Sequence, residues 1–122
     1  MAKKILIIED DKFLRELLVK KLRQEGYEIL EAVDGEEGYK KAVEEKPDLI
    51  LLDLILPNMD GFEVLAKIKG NQASSSLTVI VLSNLGQKEE MERAMKLGAI
   101  DYLIKAYFTP NEIVEKIKTV LG

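Results

Sequence analysis

A handful of polar residues stand where apolar runs of this chain stop, and their types suit chemistry on an anion. Glu9-Asp10-Asp11 follow the run 4–8, and Asp53 ends the run 48–53. Ser83 follows 77–82, and Lys105 follows 100–104. Several carboxylates gathered in one place repel one another, so either one keeps its proton or a cation joins them. Hard oxygen ligands with no imidazole or thiolate select Mg²⁺, with Mn²⁺ as the substitute, rather than zinc. The ion and Lys105 could then neutralise phosphoryl oxygens while Ser83 donates a hydrogen bond, leaving a carboxylate free to act as nucleophile. Taken singly, each residue has a plainer reading. Asp53 could cap a turn, Glu9-Asp10-Asp11 could complement a helix dipole, and Ser83 and Lys105 could be ordinary surface residues. It is their common position that favours a site.

That position depends on the elements around them. Runs 4–8, 48–53 and 77–82 are short and mostly apolar, as in buried strands, and 100–104 reads as a fifth short strand. The run 27–32 is weaker and alternates like an edge strand. Between them, helical spacing of apolar residues marks 12–25 (Phe13, Leu14, Leu17, Leu18, Leu22), 36–45, 61–69, 87–97 and 111–121. Gly26 and Gly98 stop two of these helices, and Pro110 opens the last. The polar stretch 70–76 reads as a mobile loop. Five β-α units in strict alternation predict a single doubly wound α/β domain. Its five-stranded parallel sheet has the order 2-1-3-4-5, the flavodoxin-like arrangement. In such a sheet every strand exit lies on one edge, with the crevice between strands 1 and 3, so their acids face each other.

Composition removes competing functions. The 122 residues fit one domain, and the net charge of -4 offers no global basic field for nucleic acid or anionic membrane. There is no Cys and no His, which excludes disulfides, thiolate metal sites and Ser-His-Asp catalysis. No apolar run approaches the roughly 18 residues of a membrane span, and the N-terminus lacks a signal-peptide pattern, so a cytoplasmic location is expected. A flavin-phosphate binder would need a hydroxyl- and glycine-rich loop after strand 1, where this chain has acids. The run ending in Asp53 has a Walker B look, but no Gly-x-x-x-x-Gly-Lys loop accompanies it. Asp53-Leu54-Ile55 also lacks the second acid of Asp-x-Asp phosphohydrolases.

Over essentially its full length the chain resembles the receiver domain of bacterial and archaeal response regulators. The residues that carry the resemblance are Ile-Ile-Glu9-Asp10-Asp11, Asp53-Leu-Ile-Leu-Pro57-Asn-Met-Asp60-Gly61, Val-Leu-Ser83 and Gly98-Ala-Ile-Asp-Tyr102-Leu-Ile-Lys105. The resemblance implies a phospho-accepting switch of a two-component or phosphorelay system, with residues 1–122 as one receiver domain and no output domain. Asp53 would take a phosphoryl group from a phosphohistidine on a sensor histidine kinase or phosphotransfer protein. Glu9, Asp10, Asp53 and the main-chain carbonyl of Ile55 would hold Mg²⁺. The pair Glu9/Asp10 is preferred to Asp10/Asp11 because Arg15 then falls at the family's spacing from the second acid. Lys105 would bind the phosphoryl group, and Ser83 and Tyr102 would be the switch residues. Activity would be limited to self-catalysed phosphoryl transfer and autodephosphorylation, not conventional enzyme turnover. Output would pass to a protein partner through the face of helix 4, strand 5 and helix 5, which in many relatives also forms a homodimer on phosphorylation; neither nucleic acid nor membrane is a direct partner. A receiver-like docking module that is never phosphorylated is the alternative.

Three positions depart from the family pattern. Ala106 stands where proline usually follows the lysine, which implies either a trans bond with an altered loop or a strained cis bond. Asn84 replaces a very small residue and narrows access to Asp53. Ile55 and Leu85, each two residues beyond a site residue, cannot orient a water, so slow loss of the phosphoryl group is expected.

Overall fold

The fold follows from where the apolar runs can be buried. The structure, a computed structural model, describes residues 2–122. Five strands, β1 (Lys4–Ile8), β2 (Glu28–Ala32), β3 (Leu49–Leu52), β4 (Val79–Ser83) and β5 (Asp101–Ile104), form one sheet of order β2-β1-β3-β4-β5. Every neighbouring pair is parallel. The helices are α1 (Lys12–Gln24), α2 (Gly35–Glu45), α3 (Gly61–Gly70), α4 (Lys88–Lys96) and α5 (Pro110–Leu121). Side chains of a strand alternate between the two faces. Accordingly Ile5 and Ile7 pack with Leu18, Leu22, Ile113 and Ile117 of α1 and α5. Leu6 and Ile8 pack on the other side with Ala42, Val64, Leu65, Ile68 and Ala94 of α2, α3 and α4.

The helix starts are fixed locally. Asp11, Asp34, Asp60 and Thr109 each accept a hydrogen bond from a main-chain N–H of the first turn, the usual N-cap arrangement. Asp11 is therefore occupied as the cap of α1. Gly98 follows α4 with φ +111, a conformation in which a Cβ would be strained.

Two features differ from expectation, and a third decides between two expected alternatives. The stretch 70–76 is anchored: Ser74 is buried and donates to the Ile68 carbonyl at 2.7 Å, while Lys69 Nζ donates to the Leu77 carbonyl at 2.6 Å. These bonds replace the chain-to-water bonds a mobile loop would keep. Phe13 does not join the buried stripe of α1 and is 79% exposed, whereas its neighbour Leu14 in the same first turn packs against the core. The Lys105–Ala106 bond is trans, and Lys105–Tyr107 form a single 3₁₀ turn, the altered loop of the two alternatives.

The segment after β3 is pressed against the start of α3. The N–H of Gly61 donates to the Leu54 carbonyl at 2.9 Å. A Cβ on Gly61 would sit 2.3 Å from the Asp53 carbonyl oxygen and 2.4 Å from Leu54 Cα, both main-chain atoms that cannot rotate aside. Gly61→Ala is expected to destabilise the fold by about 2 kcal/mol, in the range of overpacking changes, measured as a shift of the urea-unfolding midpoint. An unshifted midpoint would mean that this loop yields freely.

Candidate functional site

Parallel pairing brings the exits of β1, β3 and β5 together. Ile8 is level with Leu52 in the register, so Glu9 and Asp53 are the next residues on neighbouring strands. The N–H of Asp53 donates to the Ile8 carbonyl at 3.0 Å, and that of Glu9 to the Ala32 carbonyl at 3.0 Å. Both acids are buried, at 2% and 5% exposure for Glu9 and Asp53, whereas Asp10 is exposed. One carboxylate oxygen from each of Glu9, Asp10 and Asp53 lies within 4.8 Å of the others.

Lys105 closes the group. Its Nζ lies 2.7 Å from Glu9 Oε1 and 2.8 Å from Asp53 Oδ2. The remaining oxygens meet main-chain donors: the Asp11 N–H donates to Glu9 Oε2 at 3.1 Å, and the Ile55 N–H donates to Asp53 Oδ1 at 3.1 Å. Burial pushes the Glu9 carboxyl up, its hydrogen bond to Lys105 pulls it back, and the charge of Asp53 adds to the rise; the result is about 7. Burial alone would lower the Lys105 ammonium, but hydrogen bonds with Asp53 and Glu9 outweigh it and hold the group above its ordinary value.

Ser83 and Tyr102 come from β4 and β5, the strands on the far side of β3 from β1. Ser83, the last residue of β4, is fully buried, and its Oγ accepts from the Leu85 N–H at 3.4 Å. Tyr102 of β5 is also buried, and its hydroxyl donates to the Leu85 carbonyl. Burial, then the charges of Glu90 and Asp53, push this phenol up to about 12, so it stays a donor at neutral pH. One loop residue, Leu85, is thus held from both sides. Tyr102 already faces inward; any rearrangement begins from that position. Ile55 is 56% exposed, and Asn84 is exposed too.

Sequence reasoning missed the partners of Arg15. Its Nη1 donates to the Glu9 carbonyl at 2.9 Å and its Nε to Glu31 Oε1 at 3.2 Å. The sequence marked Arg15 only by its spacing, because Glu31 comes from β2, sixteen residues away.

Residues 5–118 match the model of the response regulator receiver domain. The chain belongs to this family. The alkaline phosphatase synthesis transcriptional regulatory protein PhoP of Bacillus subtilis is 38% identical over 99% of this chain, which covers 49% of that protein. The chain thus spans about half the length of the curated relatives it matches. Among solved receiver domains, a CheY-like protein of Methanospirillum hungatei superposes with a TM-score of 0.91 at 31% identity, covering 99% of this chain and 94% of that one. The receiver domain of sensor histidine kinase PA1611 from Pseudomonas aeruginosa superposes with a TM-score of 0.86 at 25% identity, covering 98% of this chain and 97% of that one; it carries a magnesium ion in its active site cleft.

The bridge by Lys105 makes a prediction about pH. A carboxyl whose folded pKa is raised favours folding at low pH and loses that contribution as pH rises through the folded value. Lys105→Met removes a group that pulls Glu9 down, so the raised value rises further and the loss deepens above about 7. In buffer with a chelator, Lys105→Met is expected to cost about 2 kcal/mol at pH 8, below the usual cost of breaking a fully buried pair, and clearly less at pH 5.5. Urea titrations at the two pH values test this. An equal cost at both would contradict the bridge.

Proposed function

We propose that this chain is a phospho-accepting signalling switch in which Asp53 receives a phosphoryl group from a phosphohistidine on a sensor kinase or phosphotransfer protein. The observation that carries the reading is a buried carboxylate at a strand exit, bridged to Lys105 and set within 4.8 Å of two further acids. An Asp53 oxygen attacks phosphorus, the P–N bond breaks, and the imidazole leaves with its electron pair, giving an acyl phosphate. Water later attacks the phosphorus and returns the carboxylate and inorganic phosphate.

Two anions must meet in this step, so positive charge has to await them. Lys105 supplies part of it and can follow the phosphoryl oxygens without leaving the site. The donor set fits a hard divalent cation: Glu9, Asp10, Asp53 and the main-chain carbonyl of Ile55 would hold Mg²⁺, or Mn²⁺ in its place. When bound, such an ion supplies charge that offsets repulsion between carboxylate and phosphoryl group.

The output follows from Leu85. Ser83 uses a lone pair on the Leu85 N–H, which leaves its O–H to donate to a phosphoryl oxygen. Drawing Ser83 toward that oxygen releases one of the two ties on Leu85. The other tie is Tyr102, so the β4–α4 loop and the face of α4, β5 and α5 repack together. This is a shift between two packings that the phosphoryl group contacts unequally. That face is the proposed surface for a protein output partner or a second copy of the chain.

Incubation with Mg²⁺ and phosphoramidate or acetyl phosphate, read by intact mass, is expected to add one phosphoryl group to the parent. Asp53→Asn or excess chelator should abolish it. An unlabelled parent would favour the docking-module alternative, and undiminished labelling of Asp53→Asn would put the acceptor elsewhere. The side chain of Ile55 is apolar and cannot orient a water at the mouth of the site, so hydrolysis should be slow, and Ile55→Asn should shorten the phosphoryl lifetime severalfold. An unchanged lifetime would rule out water positioning at this residue as the limit.

A further inference from the structure

Arg15 takes no part in the proposed reaction, yet it grips the main chain between the two acids that begin the site. Its side chain is only 12% exposed. Nη1 donates to the Glu9 carbonyl and Nε to Glu31, a fork that joins α1, the exit of β1 and the edge strand β2. Glu31 is itself held: it is level with Ile7 in the β1–β2 register, and its carbonyl accepts from Lys41 Nζ. The Glu9 residue is therefore fixed at every polar atom. Its N–H is on Ala32, its carbonyl on Arg15, and its carboxylate on Lys105 and the Asp11 N–H.

The carbonyl matters most for the neighbour. It belongs to the planar Glu9–Asp10 peptide, so fixing the oxygen fixes the plane from which Asp10 departs. Asp10 is exposed, and its carboxylate must be aimed at the other two from the backbone. We propose that Arg15, braced by Glu31, is the positioning residue of the Glu9–Asp10 acid pair and thereby sets the affinity of the site for a divalent cation. This rests on the ion site proposed above. Arginine suits the task because one planar fork reaches two acceptors at once, whereas a lysine ammonium could serve only one of them in this geometry.

Charge and geometry predict opposite results. As a cation bonded to the Glu9 carbonyl, Arg15 adds positive charge beside the acid pair, so Arg15→Met should tighten cation binding if only charge mattered. If Arg15 positions the acids, Arg15→Met should loosen it. A plain staple between α1 and β2 would alter stability and leave affinity unchanged.

The test is Mn²⁺ binding to the unphosphorylated chain, read from loss of the free-ion electron paramagnetic resonance signal, with circular dichroism confirming that each variant is folded. Arg15→Met is expected to weaken Mn²⁺ binding about tenfold or more, the range for residues that orient metal ligands. Arg15→Lys, which keeps the charge and can still reach the Glu9 carbonyl, should weaken it less, and decides the matter if Arg15→Met fails to fold. In phosphoramidate labelling, the half-saturating Mg²⁺ concentration should rise while the rate at saturating Mg²⁺ stays near that of the parent. Unchanged or tighter Mn²⁺ binding in a folded variant would overturn the proposal while leaving the ion site standing. Failure of the parent itself to bind Mn²⁺ would overturn both.

Discussion

Two carboxylates buried on adjacent strand exits cannot both keep their charge without a cation between them, and in this chain Lys105 is that cation. It reaches from β5 past the exit of β4 to Glu9 and Asp53 on β1 and β3. The compensation is partial. Glu9 remains pushed up to about 7, with burial the largest cause. A site in this condition favours added positive charge, and an incoming phosphoryl group finds a lysine already in place. Pairing with Lys105 and the exposure of Asp10 are what let three acids share one edge of a fold that otherwise buries apolar residues.

The sheet and its helices hold this imbalance in place. Asp53 is tied to the Ile8 carbonyl, Glu9 to Ala32 and Arg15, and the start of α3 abuts the main chain of Asp53 and Leu54. The acids thus lie on a firm floor. The opposite wall is adjustable, because Leu85 of the β4–α4 loop is held by two side chains, Ser83 and Tyr102, rather than by sheet pairing. In the proposed switch, a group bound on the floor would act on the wall through Ser83, with Tyr102 following Leu85.

The fold was largely legible in the sequence because β1, β3 and β4 are buried almost throughout and read as apolar runs. Alternation with helices then left few arrangements. The convergence of Glu9, Asp10, Asp53 and Lys105 followed from parallel topology, which puts every strand exit, that of Ser83 included, on one edge. What could not be read depended on contacts between distant segments. The Arg15–Glu31 brace joins α1 to β2, and the anchoring of 70–76 depends on Ser74 finding the Ile68 carbonyl. Composition marked that stretch as loose, since serine and glycine report local preference and not the partner a side chain meets. Phe13 had helical spacing, but spacing does not say how far round the helix the core reaches. The bond after Lys105 was open between two forms and is trans, with a 3₁₀ turn taking up the change.

The central claim is that Asp53, bridged by Lys105, is the phosphoryl acceptor. Borohydride reduces an acyl phosphate to an alcohol, so it marks the acceptor by its position in the chain. After phosphorylation by a small phosphodonor and reduction, peptide mapping by mass spectrometry should find homoserine at position 53 and nowhere else. The reduced product at Glu9 or Asp10, or a reduction-resistant phosphoester on Ser83, would contradict the account.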